Sequence, residues 1–570
     1  MMRLLLTIAA AATCALPQAL AVAPSDTWRD ADIGQSSYLG GGHNMDPAVV
    51  DSERFTQLWN ASFGAAEKFY AKPLAYTPKS TGKQVVFLAS TENIIRTLDA
   101  ETGELVKERQ VADPQPADVS YCTSVADNIG IIGTPTIDPE TDIAYFYAKS
   151  YIPEFRLENQ TTAVLNGVYY FFAVDINTLE DIEGFPIMVD GIPADNDPRK
   201  VFIGGTILQR PSLVQIGDTV FAGFGGLCDQ FNYTGTILGV NIKSKKVVTN
   251  FATQSGPDSS FTLDWTAWHE GGAGGVWQSG MGLSSDGESL FFVTDNGDTS
   301  LNHTPPAPGT SQLDLLSESA VKLHVSPDGA VRLADYFQPH DYLEDGGLDL
   351  GSGGIALLPP HGFNTAKYPN LAAVAGKTGK IHILAQSDLG GYGNGPDGTD
   401  AAVQVIPPQP RPDGGSFSNG IYGAVGAYPL PNDDGEGPGG YIYAAAVAQE
   451  VVAYEFKEQG EDDNGEFEFV LAGKSVEKNL DRPGVGIPTI TTAVDEETGA
   501  EKKDSGIVWL MDPEAGLRAW HAVPGDDGVL KSIELPSIEG TNKYQRPVFG
   551  NGRVYVIDAR GVLVCLGTVE

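Results

Sequence analysis

The chain has 570 residues, among them 68 glycines and 37 prolines, and its 36 Lys and Arg against 74 Asp and Glu give a formal charge of −38. So acidic a surface repels phosphate backbones and anionic lipid, which argues against nucleic-acid binding and peripheral membrane attachment. Short apolar segments between frequent Gly and Pro indicate an all-β chain of many strands joined by turns.

The chain opens with Arg3, an apolar stretch from Leu4 to Leu16 and the small-residue sequence Ala19-Leu20-Ala21, which reads as a secretory signal peptide over residues 1–21. Its apolar run is too short to cross a bilayer, and no later stretch approaches ~20 apolar residues, so a secreted, extracellular protein without a membrane segment is expected. Residues 22–50 read as an N-terminal extension. Four N-x-[S/T] sequons, at Asn60, Asn159, Asn232 and Asn302, are compatible with glycosylation on exposed loops. Once Cys14 leaves with the leader, Cys122, Cys228 and Cys565 allow one disulfide and one free thiol. Cys565 lies in the apolar run Val562 to Leu566 and reads as a buried thiol.

From residue 51 onward one pattern recurs. A strand marked by Gly or Pro is followed by an apolar second strand, a third strand ending in an Asp-containing turn, and an outer strand. The marks are Pro73, Pro135, Pro211, Gly282, Gly354, Gly426, Pro488 and Pro547, spaced 59 to 76 residues apart. The turns include LDAETGE from Leu98, VDINTLE from Val174, VNIKSKK from Val240 and LMDPEAG from Leu510, in which the acid first serves to bond backbone donors. Such a unit cannot bury both faces alone, whereas radial packing leaves only short, protected edges. The expectation is an eight-bladed β-propeller of four-stranded antiparallel blades over 51–570. The last unit supplies three strands before the chain ends, and Phe55 to Phe63 is an extra strand ahead of the first mark. The N-terminal strand is therefore expected to complete the last blade and close the ring. Glu461 to Glu466 and Asp495 to Asp504 read as solvated hairpin tips. The Gly-, Pro- and Asp-rich stretch from Gly391 to Gly415 reads as a long connection able to cover one channel mouth.

Neither a GxSxG elbow nor an HExxH motif is present, and Gly376-Lys377-Thr378 lacks the preceding glycine of a phosphate loop. The eight histidines show no ligand pair on one face, which argues against zinc.

Three stretches are more specific than the repeat: FAGFGGLCDQFNYTGTILGVNI from Phe221, GGAGGVWQSGMGLSSDGESLFFVTDNGD from Gly271, and PHDYLEDGGLDLGSGGIALL from Pro339 followed by AVAGKTGKIHIL from Ala373. They resemble the pyrroloquinoline-quinone (PQQ) dehydrogenase family and its secreted PQQ-like propeller relatives, over nearly the whole mature chain. The resemblance implies a quinone across the channel mouth on a tryptophan, a Ca²⁺ held by acidic and amide oxygens, and an Asp that takes the substrate's hydroxyl proton. On this sequence it places Trp277 at the stacking position, with Trp265 and Trp268 as competitors. Asn296 and Asp229 fall at metal-ligand positions, Asp349 at the catalytic Asp, and Lys377, 28 residues on, at the cation that contacts the quinone oxygen. Two departures stand out. Tyr121-Cys122 replaces the family's adjacent cysteines, and Asp127 to Gly130 lacks an Arg that holds quinone carboxylates. The matching segments of Cys122 and Cys228 leave two alternatives, a bond between them or two free thiols.

Taken together, the sequence is expected to encode a secreted, monomeric, PQQ-dehydrogenase-like oxidoreductase acting on an alcohol or sugar hydroxyl. The alternative is a non-catalytic extracellular propeller that binds a glycan, a protein or a small molecule.

Overall fold

The computed structural model describes residues 25 to 569 apart from 44, 121, 123–124, 157–159, 230, 257–258, 260–271, 299–313, 343–347, 411–418, 432–437, 460–464 and 496–499. The leader therefore lies outside the described residues, as do Trp265, Trp268 and the sequons at Asn159 and Asn302.

Eight small antiparallel sheets form a propeller ring. Blade 1 consists of Leu74–Tyr76, Val85–Ala89, Ile94–Asp99 and Leu105–Gln110, from the innermost strand outward. The other inner strands are Thr136–Asp138, Ile207–Gln209 with Val214–Ile216, Ser284–Ser285, Gly354–Leu357, Gly426–Pro431, Thr489–Thr491 and Val548–Gly550. Every Gly or Pro mark falls in or within two residues of one of these strands. Pro211, which has no N–H to give a ladder, separates the two halves of the blade 3 inner strand; both halves pair with Thr219–Gly226. At Gly426 the inner strands are so crowded that a Cβ would stand 2.5 Å from the carbonyl oxygen of Pro488, the mark of the next blade.

Blade 8 is built from Val548–Gly550, Arg553–Ile557 and Leu563–Thr568, with Phe55–Ala61 as its outer strand. The register runs antiparallel from Phe55 opposite Thr568 to Ala61 opposite Leu563, with a bulge between Gln57 and Trp59. Ala75, Val86 and Leu88 of blade 1 share one apolar cluster with Val548, Tyr555 and Ile557 of blade 8.

Inside the ring runs a belt formed by residues 25–39. Ser25 O accepts from Asn551 N of blade 8, and Thr27 exchanges two backbone bonds with Ala75 of blade 1. The carbonyls of Trp28, Ile33, Gly34, Ser36 and Ser37 then accept, in order, from Ile137, Ser285, Leu357, Ala427 and Ile490, of blades 2, 4, 5, 6 and 7. The sequence marks this stretch only as an extension. From the belt, the carboxylate of Asp30 meets Arg546 Nη1, accepts from Gly282 N at 3.3 Å, and stands 3.6 Å from Lys72 Nζ.

Two loop expectations are corrected. The turn at Asp512 follows the second strand of blade 7, Ile507–Asp512, rather than a third strand. The 391–406 connection lies at the rim, where Gly391–Tyr392 pairs with the outer strand of blade 4, Val331–Gln338, and Gln404–Ile406 forms the outer strand of blade 5. It therefore leaves the channel mouth uncovered as far as the described residues run. In the tip from Asp495 to Asp504 residues 500–504 are exposed, as expected of a solvated tip, and Glu501 also accepts from Tyr38 OH at 2.5 Å while Lys502 Nζ stands 2.9 Å from Asp46 Oδ2. The Glu461 to Glu466 tip lies mostly outside the described residues.

Candidate functional site

In each blade the residues before the inner strand and after the second strand emerge at the same mouth of the ring. A cavity of about 310 Å³ at that mouth is lined by such residues from several blades, within the ~300–1,000 Å³ typical of small-molecule sites. Asp229, Trp277, Asn296, Asp349 and Lys377, the five site residues predicted from sequence, all line it.

Asp229 follows the second strand of blade 3 in a turn where Cys228 and Asp229 both adopt left-handed φ, 54° and 49°. Cys228 is bonded to Cys122, which settles the pairing left open by the sequence, and Cys565 is the buried free thiol. The Tyr233 hydroxyl donates to Asp229 Oδ1 at 2.8 Å. Asn296 follows the second strand of blade 4, Ser289–Val293, and its carbonyl accepts from Gly274 N at 3.0 Å. Trp277 precedes the blade 4 inner strand, and its indole meets the Tyr544 ring edge to face at 5.4 Å. Tyr544 in turn stacks on Tyr422 at 5.2 Å.

Asp349 and Lys377 come together. Lys377 Nζ donates to Asp349 Oδ2, Ser352 N donates to Oδ1 at 2.6 Å, and Lys377 N donates to the Asp349 carbonyl at 3.2 Å. Burial pushes the Lys377 ammonium down, but the charge and hydrogen bond of Asp349, with Asp295 and Tyr422, more than offset this. The net position is above the ordinary lysine value, so Lys377 stays cationic at neutral pH.

Sequence reasoning passed over Asp295, beside Asn296. Burial, the charge and hydrogen bond of Asp349, and the charge of Asp229 push its carboxyl far above the usual range, against Lys377. Its Oδ1 is buried and has no donor, unless a proton is shared with Asp349. Two facing carboxylates that cannot both stay charged call for a shared proton or a cation. Arg210 was also passed over. It lines the cavity under a ring contact with Tyr70, and burial lowers its guanidinium to about 10. The signal was present in the repeat: Lys72-Pro73, Arg210-Pro211 and Arg546-Pro547 each set a cation before a blade's proline mark, and all three side chains belong to residues buried around the channel. Arg210 thus supplies a cation that the segment Asp127 to Gly130 lacks.

The oxygen donors of Asp229, Asp295 and Asn296 suit a hard cation in chemical type. Among the described residues, however, no three Asp, Glu, His or Cys side chains already converge as a metal cage. Arg210, Lys377 and Lys543 offer positive charge to a polyanionic ligand in the same cavity.

No protein-family model matches the chain, and no curated protein matches it by sequence. What it shares with solved structures is the propeller fold. The quinohemoprotein alcohol dehydrogenase of Comamonas testosteroni aligns with a TM-score of 0.56 over 96% of this chain and 81% of its own, at 13% identity. A second quinohemoprotein alcohol dehydrogenase, ADHIIG of Pseudomonas putida HK5, aligns with a TM-score of 0.54 over 96% and 83%, at 12% identity.

Proposed function

We propose that the protein is a secreted, quinone-dependent oxidoreductase that oxidises an alcohol or sugar hydroxyl in this cavity. The observation that carries the reading is the convergence of Asp229, Trp277, Asn296, Asp349 and Lys377, drawn from three blades, on one cavity of ligand size. When bound, PQQ with Ca²⁺ supplies the electron-accepting carbonyl. Asp349 accepts the hydroxyl proton through Oδ2, the oxygen now held by Lys377. Lys377 places positive charge where an oxyanion develops. Trp277 offers a planar wall, Arg210 and Lys543 meet carboxylates, and Asp229, Asp295 and Asn296 hold the cation. The protein acts as a monomer outside the cell, where its acidic surface keeps it soluble.

A second reading, a non-catalytic ligand-binding propeller, is favoured by one detail. Both Asp349 oxygens are already engaged, by Ser352 N and Lys377 Nζ. Purified protein reconstituted with PQQ and Ca²⁺ should reduce an artificial electron acceptor in the presence of an alcohol or sugar, and Asp349→Asn should abolish turnover while leaving quinone binding within about threefold. Quinone binding without turnover under any hydroxyl substrate selects the second reading, and failure to bind the quinone removes the first.

A further inference from the structure

Beside the hairpin that carries Lys377 lies a second group of titratable side chains with no part in the proposed chemistry. His382 sits in the third strand of blade 5, Ile381–Ala385, between Val374 and Val405 of the flanking strands. It is 1% exposed, its ring lies 5.1 Å from that of Phe337 in blade 4, and neither ring nitrogen has a hydrogen-bond partner. Its Nε2 stands 3.7 Å from Asp400 Oδ2. The other oxygen of Asp400 accepts from His340 N at 2.8 Å and lies 3.1 Å from His340 Nδ1. Lys380, on the same hairpin, pairs with Asp341. Asp400 thus gathers two imidazoles, one from the arm 339–342 and one from blade 5, at the root of the 391–400 connection.

We propose that His382 is an acid-sensitive latch: while its buried ring is neutral, the 391–400 connection and the 339–342 arm stay packed on blade 5, and its protonation in acid releases them. A buried imidazole without hydrogen bonds is tolerated only while neutral. Burial foremost, then the positive charges of Lys380 and His340, hold its pKa down at about 4 against the opposing pull of Asp400 and Asp341. In the opened state the ring returns to an ordinary value near ~6.5 and takes up a proton, so falling pH favours opening.

The latch reaches the candidate site through a void of about 10 Å³, too small for a ligand. Asp341, Lys380 and His382 bound it together with Leu348 and Leu350, which flank Asp349, and Thr378, which follows Lys377. Glu318, on the same void, accepts from Leu350 N at 2.7 Å. Opening removes one wall from the segments that present Asp349 and Lys377. The inference stands on the fold and is independent of the dehydrogenase reading.

Amide hydrogen exchange of the intact protein, expressed as protection factors, tests it. Between pH 8 and pH 5 the two imidazole values predict a fall of about 30-fold in protection for 381–385 and 391–406. The inner strands of blades 1 and 8 should hold steady, and His382→Gln should flatten the response in 381–385 and 391–406. Unchanged protection in the wild type, or the same fall in His382→Gln, overturns the latch. Should that variant fail to fold, C2-proton exchange mass spectrometry of the wild type reads His382 directly: a value near 4 supports the latch, and an ordinary histidine value overturns it.

Discussion

Asp30 is the one carboxylate that the belt brings to two buried cations. Arg546 and Lys72 have side chains 2% and 3% exposed, and Asp30→Asn would remove the carboxylate that both share, with Asp32 left as a weaker counter-charge to Arg546 alone. Removing one partner of such a buried set costs about 3–5 kcal/mol. At ~2.1 cal/mol/K per residue over 570 residues, that loss moves Tm by only about 2–4 °C, so urea midpoints are the better assay. The pH dependence adds a second check. Burial, partly offset by Asp30, holds the Lys72 ammonium at about 8. Its folded value therefore lies below its unfolded value of ~10.4, the unfolded chain binds more protons between the two, and this group makes stability rise with pH across that window. In Asp30→Asn the rise should begin below pH 8. Adding Lys72→Met to Asp30→Asn should recover part of the loss, because one of the two stranded cations is gone. Asp30→Asn within ~0.5 kcal/mol of wild type at pH 7, or Lys72→Met costing as much in the variant background as alone, would refute this role for Asp30.

Cys122→Ser opens a link between residues 106 apart and should lower stability by about 4–5 kcal/mol in unfolding titrations. Cys565, fully buried with its thiol pushed up to about 12, should resist alkylation until the chain unfolds, as mass spectrometry after a timed pulse would report. Gly351→Ala would set a Cβ 2.3 Å from both the backbone nitrogen and Oδ1 of Asp295. Backbone cannot yield cheaply there, so quinone affinity should drop at least about tenfold by calorimetry, in line with overpacking costs of roughly 1–3 kcal/mol. In a eukaryotic secretory host, Asn60→Gln should remove a glycan from the exposed outer strand of blade 8, whereas Asn232→Gln should leave the mass of the glycosylated protein unchanged except for the substitution, since Asn232 is 5% exposed.

The blades were legible because their inner strands need Gly or Pro at fixed places. Gly426 abuts the next blade, and Pro73, Pro135, Pro488 and Pro547 stand immediately before their strands, where no N–H is required. The candidate site residues came from the resemblance to the quinone dehydrogenases and not from the periodicity, although Asp229, Asn296 and Lys377 do occupy matching turns after three successive second strands. Arg210 and Asp295 went unread for a different reason. A cation before a proline and an acid beside an Asn look like ordinary turn residues until the ring sets them around one axis. The belt was illegible because its bonds are made by backbone carbonyls, which carry no side-chain signature, to partners as far away as Asn551. The rim position of 391–406 likewise depends on a parallel pairing with Phe337 and Gln338 that no local pattern encodes.

The belt also bears on the order of biosynthesis. Residues 25–39 leave the ribosome long before Asn551 and the Val548–Gly550 strand that help to seat them. Until then the belt has no complete seat and blade 1 keeps bare the flank that packs on blade 8, so the ring closes only once blade 8 has emerged. The apolar flank of blade 1 therefore stays exposed through most of elongation, the condition in which a growing chain is prone to aggregate.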